Sequence, residues 1–222
     1  MSQLLRTRPA TTEAMLAVFD DRATLRHALA FEAELARAEA AEGLIGAPEA
    51  EAIADLCATI VIEPAALAAE AALAGTLAIP LVARLRKALP EAAAKALHKG
   101  ATSQDVADVV LVRQIQEGHA LLSADLARVL ATLDALARRH AARPAIGRTL
   151  LQDALPIGFG LRIAHWQAGV ADAAGRLLRE VETGAVLQFG GAAGTRAGLA
   201  GRGAPVAARL AAALHLADAA PW

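Results

Sequence analysis

The chain has 222 residues, 22 Lys and Arg against 23 Asp and Glu, a formal net charge of -1, one cysteine, no tyrosine and 3% aromatic residues. So balanced a charge argues against a nucleic-acid partner, which needs clustered cations facing few acids, and so few aromatics argue against a platform for stacking bases or sugars. Cys57 alone allows neither an internal disulfide nor cysteine-based zinc binding, and it reads as a small buried apolar side chain.

The amino terminus, MSQLLRTRPATTEAM, carries charges where a secretory signal has its apolar run. No stretch reaches the ~20 uninterrupted apolar residues of a membrane span, so neither export nor a membrane partner is expected. Positive hydropathy rests largely on alanine, the strongest helix former, and the chain reads as cytoplasmic and all-α. Nine prolines punctuate it, with apolar residues at three- and four-residue spacing between them.

Residues 21–42 place Leu25, Leu29, Glu32, Leu35 and Ala36 on one helical stripe, and Gly43 follows as a stop. Shorter helices are expected at 48–58, 64–74 and 79–88. From Ser103 to Ala142 neither proline nor a turn cluster intervenes, and Val106, Val109, Val110, Ile115, Leu122, Leu126, Val129, Leu130, Leu133, Leu136 and Ala137 keep one stripe. This predicts a helix of about 39 residues, ~58 Å long. A globule of this chain length is only about 45 Å across. With further helices at 157–182 and 204–216, a long bundle shared between subunits is expected. Residues 189–203 (FGGAAGTRAGLAGRG) hold six glycines, suited to close backbone approach. They lack the G-K-[ST] of a phosphate loop and the strand context of a dinucleotide fold.

Two segments depart from this scaffold. In Leu97-His98-Lys99-Gly100-Ala101-Thr102-Ser103-Gln104-Asp105, Thr102 and Asp105 fit a capping box for the long helix. The same helix start offers N–H groups, a positive dipole end and the Thr102 and Ser103 hydroxyls to a carboxylate. The residues alone leave cap and ligand site equally open. In Gly147-Arg148-Thr149-Leu150-Leu151-Gln152-Asp153-Ala154-Leu155-Pro156, a cation, a hydroxyl, an amide and a carboxylate interrupt two apolar helices. This is either a connecting loop or, beside the first segment, the wall of a cleft for a polycarboxylate. His27, His119, His140, His165 and His215 lack metal-ligand spacing, and no metal site is expected.

HKGATSQDVADVVL resembles the first signature of the fumarase/aspartase superfamily of lyases, and GRTLLQDALPIGFGLRIAHW the second. Residues 19–45, GTLAIPLV at 75–82 and VLQFGGAAGTRAGLAG at 186–201 extend the likeness, which is closest to the bacterial 3-carboxy-cis,cis-muconate cycloisomerase branch. The resemblance implies a small helical amino-terminal domain, residues 1–102, before a central long-helix bundle domain, residues 103–222. It also implies a homotetramer with active sites built from three subunits. The implied reaction is intramolecular lactonisation of a small polycarboxylate in protocatechuate breakdown, the β-ketoadipate route, without metal or organic cofactor.

Carried over by position, His98 is the catalytic candidate, which contacts substrate or assists proton transfer. Thr102 and Ser103 hold a carboxylate, and Arg148, Thr149 and Gln152 bind or orient the substrate. Fixed donors aimed at a dianionic intermediate are what such chemistry needs. Leu150 and Asp153 stand where other branches resemble a histidine pair, which disfavours adenylosuccinate cleavage. The family's third signature, a serine-bearing mobile loop, is absent before Trp222. The resemblance therefore implies a member truncated at the carboxy terminus, with little or no activity alone. A non-catalytic helical assembly protein is the rival reading.

Overall fold

Short polar side chains start the first two helices. In the computed structural model, which describes residues 8–219, Thr12 accepts a hydrogen bond from Met15 N (3.2 Å) ahead of α1 (Glu13–Val18). Asp20 accepts one from Ala23 N (2.7 Å) ahead of α2 (Asp21–Ala41). Proline, whose missing N–H is harmless in a first turn, opens α3 (Ala47–Thr59) and α4 (Pro64–Ala74). Next come α5 (Ala78–Ala88), α6 (Glu91–Ala96) and the 37-residue α7 (Ser103–Arg139). A hairpin, β1 (Pro144–Thr149) and β2 (Gln152–Gly158), leads to α8 (Phe159–Gly184). A 3-10 turn at Ala197–Leu199 and α9 (Gly203–Ala213) complete the described chain.

The expected helices thus stand within a few residues of their predicted bounds. The short α1 and α6 carry too little periodic pattern to be read from sequence. One expectation is corrected: residues 147–156 are not an irregular loop but most of an antiparallel hairpin, with Arg148 opposite Asp153 and Thr149 opposite Gln152. Prolines 144 and 156 exclude helix, and Leu150 and Leu151 make the two-residue tip with φ of 37° and 63°.

The chain forms two compact units. Among the described residues, the first comprises 8–116 and 184–219. Its core is organised by α2, which packs on α3, α4 and α9, with Phe31, Leu35, Ile53, Leu81, Leu85, Leu97, Phe189, Leu199 and Leu210 almost fully buried. Phe31 and Phe189 meet edge to face at 6.4 Å. The second unit, residues 117–183, holds the rest of α7, the hairpin and nearly all of α8. Its apolar stripe is only partly covered: Leu122, Val129, Trp166 and Leu178 are all exposed, and Trp166 is 55% accessible. Among the described residues, no single helix is long and apolar enough to cross a membrane.

Candidate active site

His98 sits at the corner between α6 and α7 in a left-handed backbone conformation, φ 62°, which a β-carbon disfavours by ~1–2 kcal/mol. Its Nδ1 lies 2.7 Å from Glu32 Oε1, a carboxylate on α2 whose side chain is fully buried. The ring borders a cavity of about 400 Å³ shared with Leu44, Arg86, Lys95 and Lys99. Lys99 and Arg86 brace this corner by donating to the carbonyls of Leu44 (2.8 Å) and Leu97 (3.2 Å).

The capping expectation at the start of α7 takes a definite form. The fully buried Asp105 carboxylate accepts from Thr102 N (2.7 Å), Gly190 N (2.8 Å) and Gly191 N (3.1 Å). It thereby fixes the helix start and ties the glycine-rich segment to it. Gly100 (φ 71°) and Gly191 (φ 69°) permit the approach: a β-carbon on Gly100 would lie 2.5 Å from Leu199 Cδ2, and one on Gly191 would lie 2.5 Å from the Gly100 carbonyl oxygen. The glycines are a packing device. Arg196, also buried, donates from Nε to the Phe189 carbonyl (2.6 Å) and completes the segment.

Ser103, the first residue of α7, opens on a different cavity from His98. This space, about 270 Å³, is lined by Thr24, Thr76, Ala78, Ser103 and Gln114 among others. Gln114 donates to Thr24 Oγ1 (3.1 Å), and Thr76 Oγ1 accepts from Ala78 N (3.3 Å). Thr102 is half-buried. The first segment therefore presents hydroxyls at a helix amino terminus and, separately, an imidazole held by a carboxylate.

Arg148, Thr149 and Gln152 belong to the second unit, on the hairpin. All are exposed, and Arg148 approaches Asp153 across the strands at 3.7 Å. Leu150 and Leu151 at the tip are 89% and 97% accessible. Arg162 donates to the Ile146 carbonyl (2.9 Å) and anchors the hairpin to α8.

Sequence reasoning missed the acids behind His98. Glu32 entered only as a member of an apolar stripe, and its charge within that stripe was the available signal. One helical repeat pair further on, Glu39 is fully buried with neither carboxylate oxygen partnered among the described residues. Burial pushes its carboxyl up to about 8; nearby Lys99 opposes the shift and Glu32 reinforces it. Burial also raises the Cys57 thiol to about 12, with Glu32 adding to the rise and Arg37 opposing it. Among the described residues, no cluster of three His, Cys, Asp or Glu side chains is arranged to hold a metal ion.

The family model described as lyase matches residues 7–221. The 3-carboxy-cis,cis-muconate cycloisomerase of Bradyrhizobium diazoefficiens is 46% identical over 216 residues, covering 96% of this chain and 48% of the relative. Its counterpart of the same name in Pseudomonas aeruginosa is 43% identical over 212 residues, covering 94% and 46%. The crystal structure of 3-carboxy-cis,cis-muconate lactonizing enzyme from Pseudomonas putida superposes with a TM-score of 0.92 at 39% identity, over 99% of this chain and 51% of that one. The chain spans about half the length of the relatives it matches. With both signature segments present and the helical fold shared, the chain belongs to this lyase family, within the fumarase/aspartase superfamily.

Proposed function

We propose that this chain supplies the amino-terminal domain, residues 1–102, and part of the central bundle, residues 103–222, of a 3-carboxy-cis,cis-muconate cycloisomerase. The observation that carries the reading is the 39–46% identity to cycloisomerases of that name across nearly the whole chain. In this reading a substrate carboxylate adds across the substrate's own double bond, and negative charge develops on a second carboxylate. Thr102 and Ser103 hold a carboxylate at the amino terminus of α7, where hydroxyl, N–H and helix dipole all favour negative charge. Arg148, Thr149 and Gln152 orient the rest of the substrate from the exposed hairpin. A guanidinium is the side chain suited to a carboxylate in two-point contact. His98 handles the proton at the carbon next to the carboxylate.

Because the proposed sites combine segments from several subunits, the exposed hairpin and the uncovered faces of α7 and α8 are assembly surfaces of a cytoplasmic homotetramer. Leu150 and Asp153 favour this chemistry over adenylosuccinate cleavage. The test is a chimera joining residues 1–219 to the carboxy-terminal part of the Bradyrhizobium relative, assayed on both substrates. Turnover of 3-carboxy-cis,cis-muconate with none of adenylosuccinate is expected. A folded oligomeric chimera that turns over neither would support the assembly-protein reading.

A further inference from the structure

A carboxylate placed on the apolar stripe of a core helix must be desolvated, which is unfavourable unless a specific partner compensates. Glu32 has one such partner. Its Oε1 meets His98 Nδ1 at 2.7 Å across 66 residues of sequence, while Oε2 is buried with no partner among the described residues. The residue it meets is itself held in a left-handed conformation, and strained positions of this kind persist where surrounding structure over-determines them. On the same helix the buried Glu39 faces Glu32, and the Lys99 ammonium near Glu39 is occupied by the Leu44 carbonyl. We propose that Glu32 is a positioning residue for His98, fixing the imidazole as the Nδ1–H tautomer so that Nε2 is the nitrogen that accepts a hydrogen bond or a proton. The inference rests on the assignment of His98 as a substrate-contacting residue.

An ionised carboxylate only accepts, so the imidazole nitrogen facing it must carry the proton. The opposite nitrogen is then left with its lone pair, and which ring nitrogen is protonated is set by the bond the other makes. Positioning for chemistry needs the tautomer.

The experiment reads the tautomer directly, without substrate. Long-range proton–nitrogen correlation spectra of the chain with 15N-labelled histidine, recorded where the ring is neutral, report each imidazole's protonated nitrogen. His98 is assigned by the signal lost in His98→Gln. Wild type is expected to show Nδ1–H at His98, and Glu32→Leu to shift the tautomer ratio at least tenfold toward Nε2–H. A wild-type His98 carrying its proton on Nε2, or a ratio unchanged in Glu32→Leu, overturns the proposal. The wild-type spectrum decides by itself if Glu32→Leu does not fold. An Nδ1–H ring in a chain whose chimera turns over no substrate would uphold the tautomer set by Glu32 and overturn both the functional assignment and the positioning role that rests on it.

Discussion

Replacing Asp105 by alanine removes one carboxylate and strands three backbone N–H groups, those of Thr102, Gly190 and Gly191. Hydrogen bonds to a charged group contribute about 1.5–3 kcal/mol each, and a buried unpaired donor costs about 1–3 kcal/mol. The three bonds share one acceptor and the glycine segment relaxes when it is lost, so their sum overstates the effect. Allowing for that, a loss of about 3–5 kcal/mol is expected here. That is a large share of the 5–15 kcal/mol typical of a whole domain. Urea unfolding followed by circular dichroism measures the global loss. Amide hydrogen exchange at Gly190 and Gly191 reads the local one, where acceleration of roughly 100-fold or more is expected at tenfold per 1.4 kcal/mol. Asp105→Asn keeps one acceptor but turns an NH2 toward a donor, and should lie between wild type and alanine. A loss below about 1 kcal/mol with both amides still protected would refute the account of this corner.

Three further outcomes follow from the same geometry. Glu39 is raised to about 8 in the folded state against an ordinary value of 4.5, so the native protein binds more protons between those values and loses stability as pH rises through that window. The advantage of Glu39→Met over wild type should therefore grow by roughly 4 kcal/mol between about pH 4.5 and 8.5 in urea titrations, and a constant difference would contradict it. Cys57, with its thiol raised to about 12, should react with a thiol-specific disulfide reagent at pH 7.5 about 100-fold or more slowly than after unfolding in urea; equal rates would sink this reading. Leu150 and Leu151 occupy positive-φ positions at the hairpin tip, so an Asn-Gly pair there should stabilise the hairpin by about 1–2 kcal/mol, seen as slower amide exchange in 144–158. Faster exchange would mean that the leucines themselves hold the turn.

The helical scaffold was legible because its signals are local. Thr102 with Asp105, the proline starts and the stripe Leu25, Leu35, Ala36 each announce an element or its face within a few residues. The hairpin was not legible because Leu-Leu is a poor turn pair and neither leucine announces a positive-φ tip. The Glu32–His98 bond was invisible for a different reason: it links positions 66 residues apart, and only the packing of the 98–100 corner against α2 creates it. Asp105 lay between these cases, since its cap to Thr102 is local while its grip on Gly190 and Gly191 is not. The periodicity of α7 marks its length, but the same stripe buries Val106 and Val109 and leaves Val129 exposed, because periodicity does not specify the partner.

The central claim is that the α6–α7 corner and the hairpin serve one carboxylate chemistry. It is tested most directly by the kcat/KM of the chimera for 3-carboxy-cis,cis-muconate after His98→Ala and, separately, Arg148→Ala. Both variants are expected to assemble as the parent does and to lose at least 100-fold in kcat/KM, about 2.7 kcal/mol of transition-state stabilisation each. Values within threefold of the parent for either residue would contradict the account of the segment that carries it.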